Sequence, residues 1–99
     1  MTARCILAAL ACAALPAMAQ DSPAARSLAA TCASCHGTDG RSVTTEVASL
    51  AGLPREHIAS QMRAFRDGSR PATVMHQIAK GYSDQQIELI ADYFSRRPK

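Results

Sequence analysis

The chain has 99 residues, a formal net charge of +3, and 19% charged against 47% hydrophobic side chains. That length allows one small domain, and so mild a charge lacks the basic field of a nucleic-acid-binding protein. With no tryptophan, two tyrosines and two phenylalanines, the side chains alone supply few large apolar groups, so a core of this size needs a staple.

The first segment reads as a secretion signal. Arg4 supplies the positive start, Cys5 to Leu15 is an apolar run, and Ala17-Met18-Ala19 is a small-x-small cleavage pattern. Residues 1–19 are therefore expected to be a signal peptide and residues 20–99 the mature domain. The apolar run is shorter than the roughly 20 residues that span a bilayer, so no stable membrane insertion is expected after cleavage. A buried or anchoring helix, and a lipid anchor through Cys12, are the competing readings. Export implies the periplasm. Without Arg4 the charge falls from +3 to +2.

Ser22-Pro23 reads as an N-cap followed by proline at the first helical position, opening a helix expected to run to about Cys35. Within it lies Cys32-Ala33-Ser34-Cys35-His36, the attachment signature of c-type haem. Thiols at i and i+3 project from one side of a helical turn and can reach one edge of a macrocycle. The next residue, His36, then stands where an imidazole can ligate iron. Cys5 and Cys12 leave with the signal, so the mature chain keeps only these two cysteines. A disulfide or thioredoxin-like pair would want a strand before Cys32, and none is apparent. A zinc site would want a second ligand pair, and His57 and His76 match no common spacing.

Gly37 and Gly40 end this helix. Arg41 to Gly52 reads as a Ser/Thr-rich loop with Val43, Val47 and Leu50 turned inward. A second helix is expected from Pro54 to about Asp67, with Ile58, Met62 and Phe65 as its apolar stripe. A short helical segment follows around Val74 to Lys80, closed by Gly81. Ser83 and Gln86 form a capping box for the last helix, with Ile87, Ile90, Ala91 and Phe94 facing inward and Pro98 ending it. Asp84 and the pair Arg96 and Arg97 suit its dipole. The mature protein is therefore expected to be all-α, three main helices and loops wrapped around a cofactor, since loops this long would be anomalous in an empty domain.

A methionine opposite His36 would favour the reduced iron and suit electron transfer. Met62 lies on an amphipathic stripe and reads as a core residue, which leaves Met75 as the expected second ligand. His76 is a competing ligand that reads more simply as solvent-exposed, as does His57.

Three segments together carry a family resemblance: Cys32-x-x-Cys35-His36-Gly37, then Met75-x-x-Ile78-Ala79-Lys80-Gly81-Tyr82-Ser83-Asp84, then Ile87-x-x-Ile90-Ala91-x-Tyr93-Phe94. They resemble a small class I c-type cytochrome. Arg70-Pro71 through Asp84, with Leu28 to Cys32 and Ser49 to Pro54, resemble more particularly the cytochrome subunits of flavocytochrome c sulfide dehydrogenases. The resemblance implies one covalent haem c tethered by Cys32 and Cys35 and ligated by His36 and Met75. It implies first and last helices that cross, with Leu28 and Ala29 meeting Ile90, Tyr93 and Phe94. It also implies electron transfer rather than catalysis, an FAD-containing sulfide dehydrogenase subunit as donor, and another redox protein as acceptor. A free carrier for an oxidase or other dehydrogenase is the alternative, and a haem sensor or peroxidase-like enzyme a further one. Class I members usually have a proline in the loop after the motif, where the backbone orients the proximal histidine. Gly37 to Gly52 has none, so a carbonyl near Ser42 to Thr45 is the expected substitute. Tyr82 is expected to pack against the macrocycle. Arg41 and Arg70 are the expected propionate partners. Arg55, Arg63, Arg66 and Lys80 are expected on a solvated face or a docking surface.

Overall fold

The sequence folds locally as its caps dictate, and the described residues, 21–99 of a computed structural model, hold five α-helices and no strand. They are α1 (Pro23–Ala30), α2 (Ala33–His36), α3 (Arg55–Asp67), α4 (Met75–Ala79) and α5 (Asp84–Ser95), with a 3₁₀ turn at Thr38–Gly40. The expected signal, residues 1–19 with Cys5 and Cys12, lies outside the described residues, as does Gln20. No helix among the described residues is long and apolar enough to cross a membrane.

Ser22 caps α1 by accepting the Ala25 N–H at 3.0 Å. The helix does not run through to Cys35. The Thr31 hydroxyl donates to the Leu28 carbonyl at 2.7 Å, and the Thr31 and Cys32 amides bond three residues back. A threonine that competes for a carbonyl of the preceding turn tightens the chain and ends the regular helix. A new turn then starts from Cys32, whose carbonyl accepts the His36 N–H at 2.9 Å. The spacing that places Cys32 and Cys35 on one side thus survives the break.

α5 is the central element, with α1 and α3 packed on it and α4 packed on α3. Its N-terminus carries the expected capping box between Ser83 and Gln86. Its buried face is Ile87, Ile90, Ala91 and Phe94. Ala29 of α1, Ile58, Ala59 and Met62 of α3 and Ala79 of α4 join it in one core, against which Leu28 and Tyr93 pack. The first and last helices therefore meet through the expected residues.

Gly40 fits this core because it has no side chain. Its φ is +78°, and a Cβ there would stand 2.8 Å from Phe94 Cδ1 and 2.9 Å from the Ala51 nitrogen. Its carbonyl accepts from Leu50 and Ala51 at 2.7 and 3.1 Å, which pins the two ends of the long loop together. Val43 in that loop is 93% exposed, against the expectation that it turns inward, while Val47 and Leu50 do line the interior. The Ser42 and Thr44 segment folds on itself, Ser42 donating to the Thr44 carbonyl at 3.0 Å, and this turn carries Val43 outward.

Arg96 and Arg97 lie at and beyond the end of α5 and both pair with Asp21, which ties the start of the domain to its end.

Candidate functional site

A cavity of about 540 Å³ lies between the α1–α2 junction, the long loop, α3 and α4. Its volume falls within the roughly 300–1,000 Å³ of cofactor sites. The lining is mostly apolar, with Leu50, Leu53, Ile58, Phe65, Ile78 and Ile90 among its residues. Cys32, Cys35, His36, Met62 and Met75 all reach it. The donor set is therefore two thiols, one imidazole and two thioethers on apolar walls.

Both thiols are free, Cys32 half-buried and Cys35 exposed. Burial pushes the Cys32 thiol above its ordinary value, the Thr31 hydroxyl partly offsets this, and the neighbouring Cys35 raises it further. A C-x-x-C redox pair needs the opposite, a depressed pKa that exposes a thiolate. Cys32 thus lacks the thiolate-favouring surroundings of a redox pair, and both thiols stand at the cavity.

His36 Nδ1 lies 2.6 Å from the Ala48 carbonyl oxygen. A carbonyl only accepts, so Nδ1 carries the proton and Nε2 keeps its lone pair for a metal. The orienting carbonyl is thus that of Ala48 and not one between Ser42 and Thr45. The latter segment is engaged internally, and Ser42 N–H also donates to Ser49 Oγ at 2.9 Å. Pinning at Gly40 brings the returning strand of the loop, with Ala48, back over His36.

Met75 opens α4, and Met62 sits in mid-α3 with 8% exposure. Both line the cavity, so lining alone does not separate them. Met62 belongs to the buried core, whereas Met75 is half-buried beside it. His76, next along α4, is not a lining residue. It is half-buried, and its Nδ1 is buried without a hydrogen-bond partner among the described residues, so the expectation of an exposed histidine is corrected. α4 packs on α3, and the turn of helix that directs Met75 to the cavity directs its neighbour elsewhere. His57 is exposed, as expected, and lies at the cavity rim.

The arginines divide clearly. Arg70 lines the cavity, its guanidinium 4.7 Å from the Phe65 ring centroid and hydrogen-bonded to Gln61 Oε1. Arg41 points away, donating to the Pro98 carbonyl at 3.2 Å and lying 3.9 Å from Asp39. Arg55 and Arg63 pair with Glu88, and Arg66 pairs with Asp84. These three join α3 to α5 and are not a free cationic face. Tyr82 lines the cavity, and its hydroxyl lies 2.8 Å from Thr31 Oγ1.

Sequence reasoning missed Ala48, Gln61 and the contact of Thr31 with Tyr82. A backbone carbonyl leaves no trace in residue type, and the other two depend on contacts between distant segments.

The cytochrome c family profile matches residues 23–96. The chain is 44% identical over 72 residues to the cytochrome subunit of sulfide dehydrogenase of Chlorobaculum tepidum, covering 73% of this chain and 64% of that protein. It is 38% identical over 80 residues to cytochrome c-554(548) of Halomonas halodenitrificans, covering 78% of this chain and 96% of that protein. It is 41% identical over 69 residues to a thiosulfate dehydrogenase electron acceptor of Thiomonas intermedia, covering 69% of this chain and 32% of that protein. The match thus spans less than two thirds of the first and third of these relatives and nearly all of the second.

Proposed function

This chain belongs to the cytochrome c family, and from that premise we propose that it is an exported, periplasmic electron carrier, the cytochrome subunit of a sulfide dehydrogenase. Membership implies one covalently bound haem c, which supplies a one-electron Fe(III)/Fe(II) couple. The carrying observation is that Cys32, Cys35, His36 and Met75 all line one apolar cavity.

In this reading Cys32 and Cys35 tether the cofactor. His36 ligates through Nε2, held in that tautomer by the Ala48 carbonyl. Met75 would supply the second ligand to the iron, and Met62 is a core residue that touches the same cavity. If His36 and Met75 both held the iron, the protein would leave no position for a substrate, and the chain would carry electrons without acting as an enzyme. Oxidation of sulfide belongs to an FAD-containing partner subunit, and a further redox protein accepts the electron. The mature domain begins near residue 20. The relative from Chlorobaculum tepidum supports the choice of partner.

A free monohaem carrier is the second reading, favoured by the near-complete coverage of the Halomonas cytochrome. Purification of the native protein separates the two. Co-elution with a flavoprotein is the expected result, and isolation without one sinks the subunit reading. For the ligand, Met75→Ala should abolish the weak near-infrared band that methionine gives ferric haem c, and Met62→Ala should preserve it. The reverse pattern overturns the assignment.

A further inference from the structure

One edge of the cavity is closed by a hydrogen-bond chain between segments 51 residues apart in sequence. Thr31 Oγ1 lies 2.7 Å from the Leu28 carbonyl and 2.8 Å from the Tyr82 hydroxyl. A carbonyl only accepts and each hydroxyl has one proton, so Thr31 donates to Leu28 and Tyr82 must donate to Thr31. Thr31 directly precedes Cys32. Tyr82 lies just beyond α4, and its ring lines the cavity.

The backbone of Tyr82 is held as well. Its N–H donates to the Ala79 carbonyl and its own carbonyl accepts from Arg66, each at 3.3 Å. α4 has five residues, too few to hold a helical shape alone. Only its C-terminal Ala79 is fully buried, while Val74 and Ile78 are 56% and 42% exposed. The segment that carries Met75 is therefore anchored chiefly from its far end, where Ala79 and Tyr82 sit.

We propose that the Thr31–Tyr82 hydroxyl pair is a clamp that holds the Met75 segment against the attachment segment and so sets how readily an external ligand displaces Met75. Neither hydroxyl touches the metal. Both are positioning residues that act through Met75, and the inference rests on Met75 being the second ligand. An intact pair ties the chain just after α4 and just before α5 to the residue that precedes Cys32. A broken pair leaves α4 held by its packing on α3 and by the backbone bonds of Tyr82, without a tie to the attachment segment.

The test is an imidazole titration of the oxidised holoprotein, followed by loss of the near-infrared methionine band. Thr31→Val and Tyr82→Phe should each lower the imidazole midpoint by about two- to tenfold, the worth of one hydrogen bond. The double variant should be no more easily displaced than Thr31→Val, because the bond that Tyr82→Phe removes is already lost there. Thr31→Ser, which keeps the hydroxyl, should titrate near the wild type. Unchanged midpoints in the single variants, additive effects in the double, or a Thr31→Ser variant that behaves like Thr31→Val each overturn the clamp. The two failures are distinguishable. If Met75→Ala keeps the band, the ligand assignment fails and the clamp falls with it. If Met75→Ala loses the band while the clamp variants titrate as wild type, the clamp alone fails.

Discussion

Arg70 is the arginine that stands at the cavity, stacked on Phe65 and braced by Gln61. A guanidinium fixed there favours the extra electron of the reduced state, and it offers a fork that matches carboxylates such as haem propionates. Arg70→Gln should lower the midpoint potential on the order of tens of millivolts, a Coulomb effect at the effective dielectric of a protein rim. Arg41→Gln should leave the potential nearly unchanged, since Arg41 turns to Asp39 and Pro98. Protein-film voltammetry reads both, and equal shifts would remove Arg70 from the site. The sequence offered Arg41 and Arg70 as equals because both sit in loops near the motif. Which of them turns inward depends on Phe65 and Gln61, two residues of α3 that a linear reading does not connect to Arg70. That Cys32, Cys35 and His36 would share one cavity was legible, because their side-chain chemistry is rare and the C-x-x-C-H spacing has a geometric reason. The Ala48 carbonyl that orients His36 was not, because every residue offers a carbonyl.

The helices were legible where their ends carry local chemistry. Ser22-Pro23, Pro54, Gly68 and the Ser83–Gln86 box act within a few residues, and α1, α3 and α5 begin or end where those signals stand. The break at Thr31 was not legible, because Leu28 to Ala33 has no Gly or Pro and reads as continuous helix. The ion pairs between α3 and α5 are a similar long-range feature, and they carry a pH dependence. A hydrogen bond and charge from Arg66, with a smaller charge contribution from Arg63, hold the Asp84 carboxyl below its ordinary value. A group depressed in the folded state stabilises it above the unfolded-state pKa, and that stability is lost as pH falls through the depressed value. Asp84 is exposed, so solvent screens the pair and its effect is modest. The urea midpoint of the wild type should therefore decline more steeply than that of Asp84→Asn between neutral and acid pH. Parallel declines would show that the pair contributes nothing to stability.

At the scale of the whole molecule the balance of packing shows what the fold would gain from a cofactor in the cavity. The buried hydrophobic residues are Ala25, Ala29, Ala51, Ala59, Ala79 and Ala91 with Ile58, Met62, Ile87, Ile90 and Phe94. Among the described residues more than half of these are alanines, and only Phe94, Ile87 and Ile90 are large side chains with almost no exposure. A domain this small is marginal even with a full core, and here a cavity of about 540 Å³ borders that core. Leu50, Leu53, Phe65 and Ile78 line it without being fully buried, and apolar area left exposed forfeits about 25 cal/mol per Å². α2 and α4, of four and five residues, lie on its walls and lack the length to persist alone. Covalent attachment at Cys32 and Cys35 would place a large apolar group where the side chains are missing. Cys32→Ala/Cys35→Ala, which cannot tether haem, should therefore show reduced far-ultraviolet helicity, no cooperative thermal transition and rapid proteolysis between Gly37 and Gly81. The single change Cys35→Ala, which keeps the more buried thiol, should keep a cooperative transition at a lower Tm when haem is bound. A cooperative transition of the haem-free double variant near the holoprotein's Tm would mean that α1, α3 and α5 form a sufficient core by themselves.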